Sequence, residues 1–159
     1  MQVVEGDLIA LARAGRFDVI VHGCNCFHAM GAGVARAIAE AFPEALAADR
    51  ATGFGDATKL GEVSCAEVGV GGQRLTIVNA YTQFRFEGPL PLVEYDALSR
   101  CFDTVAARFD GARIGYPLIG AGLAGGDWGR IAPLIDAALV SQDHSLVLRP
   151  GSATPQEAP

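Results

Sequence analysis

Residues 18–42, DVIVHGCNCFHAMGAGVARAIAEAF, constrain the fold of this chain more than any other stretch. Asp18 to Val21 ends in a β-branched apolar run, short enough for a strand buried on both faces. His22, Cys24, Asn25, Cys26 and His28 then crowd into what the pattern predicts to be one turn. Gly31, Ala32 and Gly33 follow, and Val34, Ile38 and Phe42 recur at four-residue spacing along one helix face. A strand, a glycine loop and a helix start make an anion site. Glycine lets the backbone approach a ligand, and free N–H groups at the positive end of the helix dipole attract phosphate. The same pattern also arises wherever a tight turn is needed. It is not a P-loop, because no Lys-Ser/Thr follows the glycines, and Arg36 stands where the Rossmann fingerprint has its third glycine.

The pattern returns once. Residues 114–119 read as a strand, Gly120-Ala121-Gly122 and Gly125-Gly126 form a second glycine loop, and Asp127 caps a helix carrying Ile131, Leu134, Ile135 and Leu139. Two such loops at the C-terminal ends of adjacent strands would face each other across a switch point, with room for a diphosphate between them. Around these units the chain predicts a strand at residues 2–5 and a short helix over 8–14. A second helix follows Pro43, through Leu46 and Ala47, before a loop over residues 49–59. Strands at 63–68 and 75–81 form a hairpin about Gly71-Gly72. A loop rich in aromatics and prolines covers 82–92. Tyr95, Leu98, Phe102, Val105 and Phe109 then mark one face of a helix, and the last strand runs over 145–148. The order gives a three-layer α/β/α fold with a mixed, mostly parallel sheet, in one domain over residues 1–148. The tail, residues 149–159, has no apolar content to bury and is expected to be disordered.

Half of the 159 residues are hydrophobic, which suits one domain with a real core. The net charge is −6 and Lys59 is the only lysine, so nucleic acid is a poor partner except as a modified substrate. No apolar run reaches transmembrane length, the N-terminus has no signal pattern, and the four cysteines make no disulfide framework. A cytoplasmic monomer with reduced thiols is expected.

Three segments carry a resemblance: Gly6-Asp7-Leu8 after the first strand, HGCNCFHAMGAGVA from His22, and PLIGAGLAGGDW before a late helix. Together, over residues 2–148, they resemble the macro domain, in particular the branch of the ADP-ribose 1″-phosphate phosphatases and the terminal ADP-ribose glycohydrolase. The resemblance implies a partner, ADP-ribose or an ADP-ribosylated molecule, and no cofactor. Asp7, with Leu8 beside it, would accept a hydrogen bond from the adenine amino group. Gly31, Ala32, Gly33 and Val34 would cradle the diphosphate from one side, and Ile119, Gly120, Ala121, Gly122 and Leu123 from the other. Asn25 would sit by the terminal ribose. The glycohydrolase branch uses a lysine on the strand after a Gly-Glu-Val turn. Here that neighbourhood is Cys65-Ala66-Glu67-Val68, so the phosphatase branch fits better.

The expected chemistry is therefore hydrolysis of ADP-ribose 1″-phosphate. The alternatives are a non-catalytic reader and a hydrolase that removes ADP-ribose from protein or nucleic acid. His22 would protonate the leaving oxygen, Asn25 orient the ribose and Asp127 hold the water. Each has a plainer reading. His22 is equally a satisfied core histidine, and Asp127 first a helix cap. Cys24 and His28 lie in the same segment and are counted with the ligand contacts. Phe84 or Phe86 would stack on adenine or cover the ribose. Cys24 and Cys26 alternate with His22 and His28, which invites a metal. One C-x-C inside seven residues is poor zinc geometry, however, and no metal is expected.

Overall fold

The computed structural model of the chain describes residues 1–153. Among them six strands and five α-helices follow in the order β1 (Gln2–Glu5), α1 (Leu8–Arg13), β2 (Val19–Cys24), α2 (Gly33–Ala41), α3 (Pro43–Arg50), β3 (Val63–Val70), β4 (Gln73–Tyr81), α4 (Tyr95–Arg108), β5 (Arg113–Tyr116), α5 (Trp128–Ala138) and β6 (Asp143–Leu148), with a 3-10 turn over Ala57–Lys59. The strands form one sheet in the order β1-β6-β5-β2-β4-β3. All neighbours are parallel except β3 and β4, the expected hairpin. Helices cover both faces, giving the three-layer α/β/α architecture with a mixed, mostly parallel sheet. Among the described residues no helix is long and apolar enough to cross a membrane.

Strand alternation sorts the core into two layers. Val19 and Val21 of β2 face α4 and α5, packing with Leu98, Phe102, Ile131 and Ile135. Ile20, between them, faces α1, α2 and α3, packing with Leu8, Ile38 and Ala45. A strand used on both faces must be apolar throughout, which explains the unbroken Val-Ile-Val run. Pro43 begins α3 at a position where its missing N–H costs nothing.

Several boundaries differ from the sequence expectation: β3 runs two residues further, to Val70, β4 and β6 start two residues earlier, at Gln73 and Asp143, and α1 ends one residue earlier, at Arg13. β2 does not turn at His22 but runs on to Cys24, because β4 pairs with it through His22↔Asn79, Gly23↔Ala80 and Cys24↔Tyr81. β5 ends at Tyr116, three residues early, where Pro117 has no N–H to continue the ladder. α3 continues to Arg50, into residues expected to be loop. In the tail, the Ser152 N–H donates to the Arg149 carbonyl (3.0 Å), closing a turn. Residues 154–159, expected to be disordered, lie outside the described residues.

The first residues of the two loop-bearing units are tied together. Asp18, entering β2, accepts from the Arg113 backbone N–H (2.8 Å) and from its Nε (3.0 Å) and Nη2 (2.9 Å). This pairing holds the Asp18 carboxyl below the usual range. With their starting ends fixed, adjacent parallel strands β2 and β5 deliver their following loops side by side.

Candidate functional site

Those two loops enclose a cavity of about 500 Å³ at the C-terminal edge of the sheet, a size suited to a small-molecule ligand. One wall is the loop after β2 with the start of α2: Asn25, Gly31, Ala32, Gly33, Val34 and Ala35. The other is the loop after β5, from Pro117 to Ala124 apart from Ala121. His22, Thr82 and Gln83 also line it, and Phe86 adds an aromatic ring. A smaller cavity of about 180 Å³ adjoins it, sharing Val34, Pro117 and Leu118. Asp7, Leu8 and Arg149 line this second space.

Among the described residues, no Lys, Arg, Asp or Glu lines the larger cavity. Its positive potential comes from amides. α2 begins at Ala32, whose side chain cannot cap it. The N–H groups of Gly33, Val34 and Ala35, the first turn, have no intrachain acceptor among the described residues. Across the gap, the Ile119 and Ala121 N–H groups bond within their own loop, to Pro117 and Leu118 carbonyls. Those of Gly120, Gly122 and Leu123 have no such partner among the described residues. Gly120 has φ +76°, and a Cβ there would come within 2.9 Å of Val93 Cγ2. The turn therefore requires glycine.

The expected site residues divide. His22, Asn25, Gly31, Ala32, Gly33, Val34, Ile119, Gly120, Gly122 and Leu123 meet around the larger cavity, and Asp7 and Leu8 line the smaller one. Cys24, His28, Phe84, Ala121 and Asp127 line neither. Asp127 accepts from the Gly129 N–H (2.8 Å) as the cap of α5. His28, at φ +57°, donates from Nε2 to the Thr52 carbonyl (2.9 Å). Phe84 packs against Phe27 with ring centres 4.9 Å apart, in a cluster with Cys24, Cys26 and Tyr81. Burial pushes the Cys24 thiol well up, so it is not a nucleophilic thiolate at neutral pH. The four His and Cys side chains do not converge as a metal site. Cys26 Sγ lies by the Gln83 carbonyl, and His28 points to Thr52.

Asn25 is largely spent on its own loop. Its Oδ1 accepts from the Phe27 (2.9 Å) and Ala29 (3.3 Å) N–H groups, and its Nδ2 donates to the Ala29 carbonyl (2.7 Å). It shapes the turn as Asx residues do. His22 is 1% exposed and hydrogen-bonded to Asn79 Oδ1 at 2.6 Å. Burial pulls its pKa down to about 4, so the ring is neutral at pH 7. Lys59, the only lysine, is buried away from the cavity, with Nζ on Thr52 Oγ1 (2.8 Å) and over the Tyr81 ring.

Thr82, Gln83, Pro117 and Leu118 line the cavity although no motif marks them in the sequence as site residues. Their signal was position: both segments directly follow a strand that ends at the same sheet edge. Asn79 went unnoticed too, although a lone amide inside the apolar strand LTIVNAY was a visible anomaly.

No family model matches the sequence. The 17.5 kDa protein of the tk-vs intergenic region of Enterobacteria phage T4 is 39% identical over 141 residues, covering 86% of this chain and 88% of that one. Among solved structures, a macrodomain protein from Streptomyces coelicolor is 29% identical with a TM-score of 0.61, over 82% of this chain and 86% of the other. Thermosipho africanus DarTG, solved in complex with ADP-ribose, has a TM-score of 0.75 at 16% identity, matching 96% of this chain to 42% of that one. With this sheet order, these layers and these matches, the chain belongs to the family of the phage T4 17.5 kDa protein, and its fold is that of the macrodomains.

Proposed function

We propose that this chain binds ADP-ribose, or a molecule carrying it. The diphosphate lies between the two glycine loops, the adenine towards Asp7 and the terminal ribose towards Asn25 and His22. One observation carries the reading. Unpartnered backbone N–H groups from both loops converge on a single cavity without a cationic side chain. That arrangement suits an anion in the middle of a longer, uncharged-ended ligand. The second cavity supports the length, since it continues the first past Val34, Pro117 and Leu118. The DarTG structure with ADP-ribose supports the ligand by analogy of fold.

Calorimetry with ADP-ribose, AMP and NAD tests the reading. ADP-ribose is expected to bind tightest, and no heat at millimolar ADP-ribose would refute it. Asp7 caps α1 through Oδ1, bonded to the Ala10 N–H at 2.8 Å. Asp7→Asn keeps that cap while turning an amide toward the adenine amino group. It should weaken ADP-ribose by about 1 kcal/mol and leave ribose 5-phosphate unaffected.

A second reading extends the first to removal of phosphate from ADP-ribose 1″-phosphate. It is favoured by Asn25 and His22 lining the same cavity. Asp127, engaged at the start of α5, plays no part in it. Phosphate release and ADP-ribose affinity, measured separately for the unmodified protein, His22→Ala and Asn25→Ala, decide the matter. An unmodified protein that binds ADP-ribose but releases no phosphate is a reader, or a hydrolase that removes ADP-ribose from protein or nucleic acid.

A further inference from the structure

A chain of buried polar groups runs from the cavity through the sheet to α3, and its donors and acceptors can be assigned from one end. The Ala45 carbonyl can only accept. Asn79, 2.9 Å away through Nδ2, therefore turns its NH₂ toward α3 and its Oδ1 toward β2. His22 Nε2 lies 2.6 Å from that Oδ1, which can only accept, so the proton sits on Nε2. The second N–H of Asn79 donates to Ser64 Oγ (3.1 Å). Ser64 then donates to the Tyr81 hydroxyl oxygen (2.9 Å), and Tyr81 donates to Asp49 Oδ1 (2.8 Å). The far end agrees independently, because a carboxylate there can only accept. Asn79 is fully buried and Asp49 1% exposed, so water does not offer these groups alternative partners.

We propose that Asn79, held by the Ala45 carbonyl, is a positioning residue that fixes His22 as the neutral Nε2–H tautomer. The Nδ1 lone pair then serves as an acceptor for a ligand hydroxyl in the cavity. Among the described residues, Nδ1 has one hydrogen-bonding atom within reach, Cys24 Sγ (3.9 Å). This sulfur is almost equally far from Nε2 (3.7 Å) and thus aligned with neither the Nδ1 lone pair nor the Nε2–H. A ring locked this way has no proton to give on the Nδ1 side. It orients a hydroxyl, rather than protonating a leaving group. On the ADP-ribose reading, which this inference rests on for the ligand's identity, the hydroxyl belongs to the terminal ribose. The charged and titratable groups nearest the ring are Cys24 on its own strand and Asp49 on α3.

Nitrogen NMR of the unmodified full chain with labelled histidine tests this directly. In the absence of ligand, His22 should show a protonated Nε2 and an unprotonated Nδ1, unchanged across neutral pH. Adding ADP-ribose should move the Nδ1 signal toward the hydrogen-bonded position. In Ser64→Ala, which leaves the Ala45 carbonyl in place, the tautomer should persist. Asn79→Leu, matched in shape, should show both tautomers and bind ADP-ribose at least tenfold more weakly. A protonated Nδ1 in the ligand-free protein overturns the proposal, whether or not Asn79→Leu folds. So does an Nδ1 signal that stays still while calorimetry records ADP-ribose binding. Absence of any ADP-ribose binding alongside the expected ligand-free tautomer overturns the ligand assignment instead, and with it the hydroxyl acceptor role.

Discussion

The two strand–loop–helix units look alike in sequence and end differently in space. Helix α2 starts at Ala32, without a side-chain cap, and its first-turn amides open on the cavity. Helix α5 starts at Asp127, whose carboxylate already satisfies the Gly129 N–H, and it begins outside the cavity. The first unit offers a helix N-terminus to a ligand. The second offers only the backbone of its loop, held in a tight turn by Gly120 and by the bond from the Gly126 N–H to the Gly120 carbonyl (2.8 Å). A missing cap is a deficit of stability that a bound anion makes good. Comparing the starts of two similar helices thus separates the one built to fold from the one left open to bind.

The largest expected contrast between the units is in acid. His22 sits in the first unit with its pKa lowered by burial to about 4, below the ordinary 6.5. The second unit's strand carries Tyr116, pushed up by burial and without charge in this range. The unfolded chain binds the His22 proton first, so its contribution is complete above about pH 6.5. It is lost as pH falls through the window toward 4, amounting to about 3 kcal/mol. Chemical denaturation from pH 7 to 4 should show this loss. His144, also lowered, adds to it in the same direction, so His22→Gln should remove most of the slope, not all. An unchanged slope in that variant would mean that the first unit is no more acid-sensitive than the second.

Gly120→Ala probes the second unit's dependence on its turn. The positive φ and the approach to Val93 should together cost about 2 kcal/mol in urea denaturation and weaken ADP-ribose markedly. Gly31, with nothing within 4 Å of an added Cβ and no positive φ, should accept alanine with under about 0.5 kcal/mol of change. Equal responses at the two glycines would erase the distinction between the loops.

Supplying the missing cap is the sharpest test of the contrast. Ala32→Asp should stabilise the protein by about 1 kcal/mol, by satisfying first-turn amides, while reducing ADP-ribose affinity at least tenfold as a carboxylate occupies the anion's place. Stability and affinity moving together would show that these amides do not hold the ligand. The reciprocal change has the smallest expected effect. Asp127→Ala should cost about 1 kcal/mol of stability and leave ADP-ribose affinity unaltered. A loss of affinity there would restore Asp127 to the site.

The sequence by itself determined the layers, the hairpin, both glycine loops and, among the described residues, the five α-helices, because each rests on short-range physics. Apolar period, proline position and backbone freedom at glycine are all written within a few residues. It also marked the two loops that meet around the cavity, since two such loops ending adjacent strands leave few other arrangements. What only the tertiary structure decided depends on partners far along the chain. β2 extends through Cys24 because β4 continues beside it. His22, in line with Ile20 on the α1–α3 face, thereby meets an amide 57 residues away. Burial keeps the imidazole beside the cavity uncharged, and that pairing puts its proton on Nε2. Asp127 shows the same limit from the other side. A cap and a water-holding acid read identically in sequence; in the fold the carboxylate caps α5, and Asp127 is not among the residues lining the cavity. The chemistry of both residues follows from burial and from who stands opposite, and neither is encoded next to them in the chain.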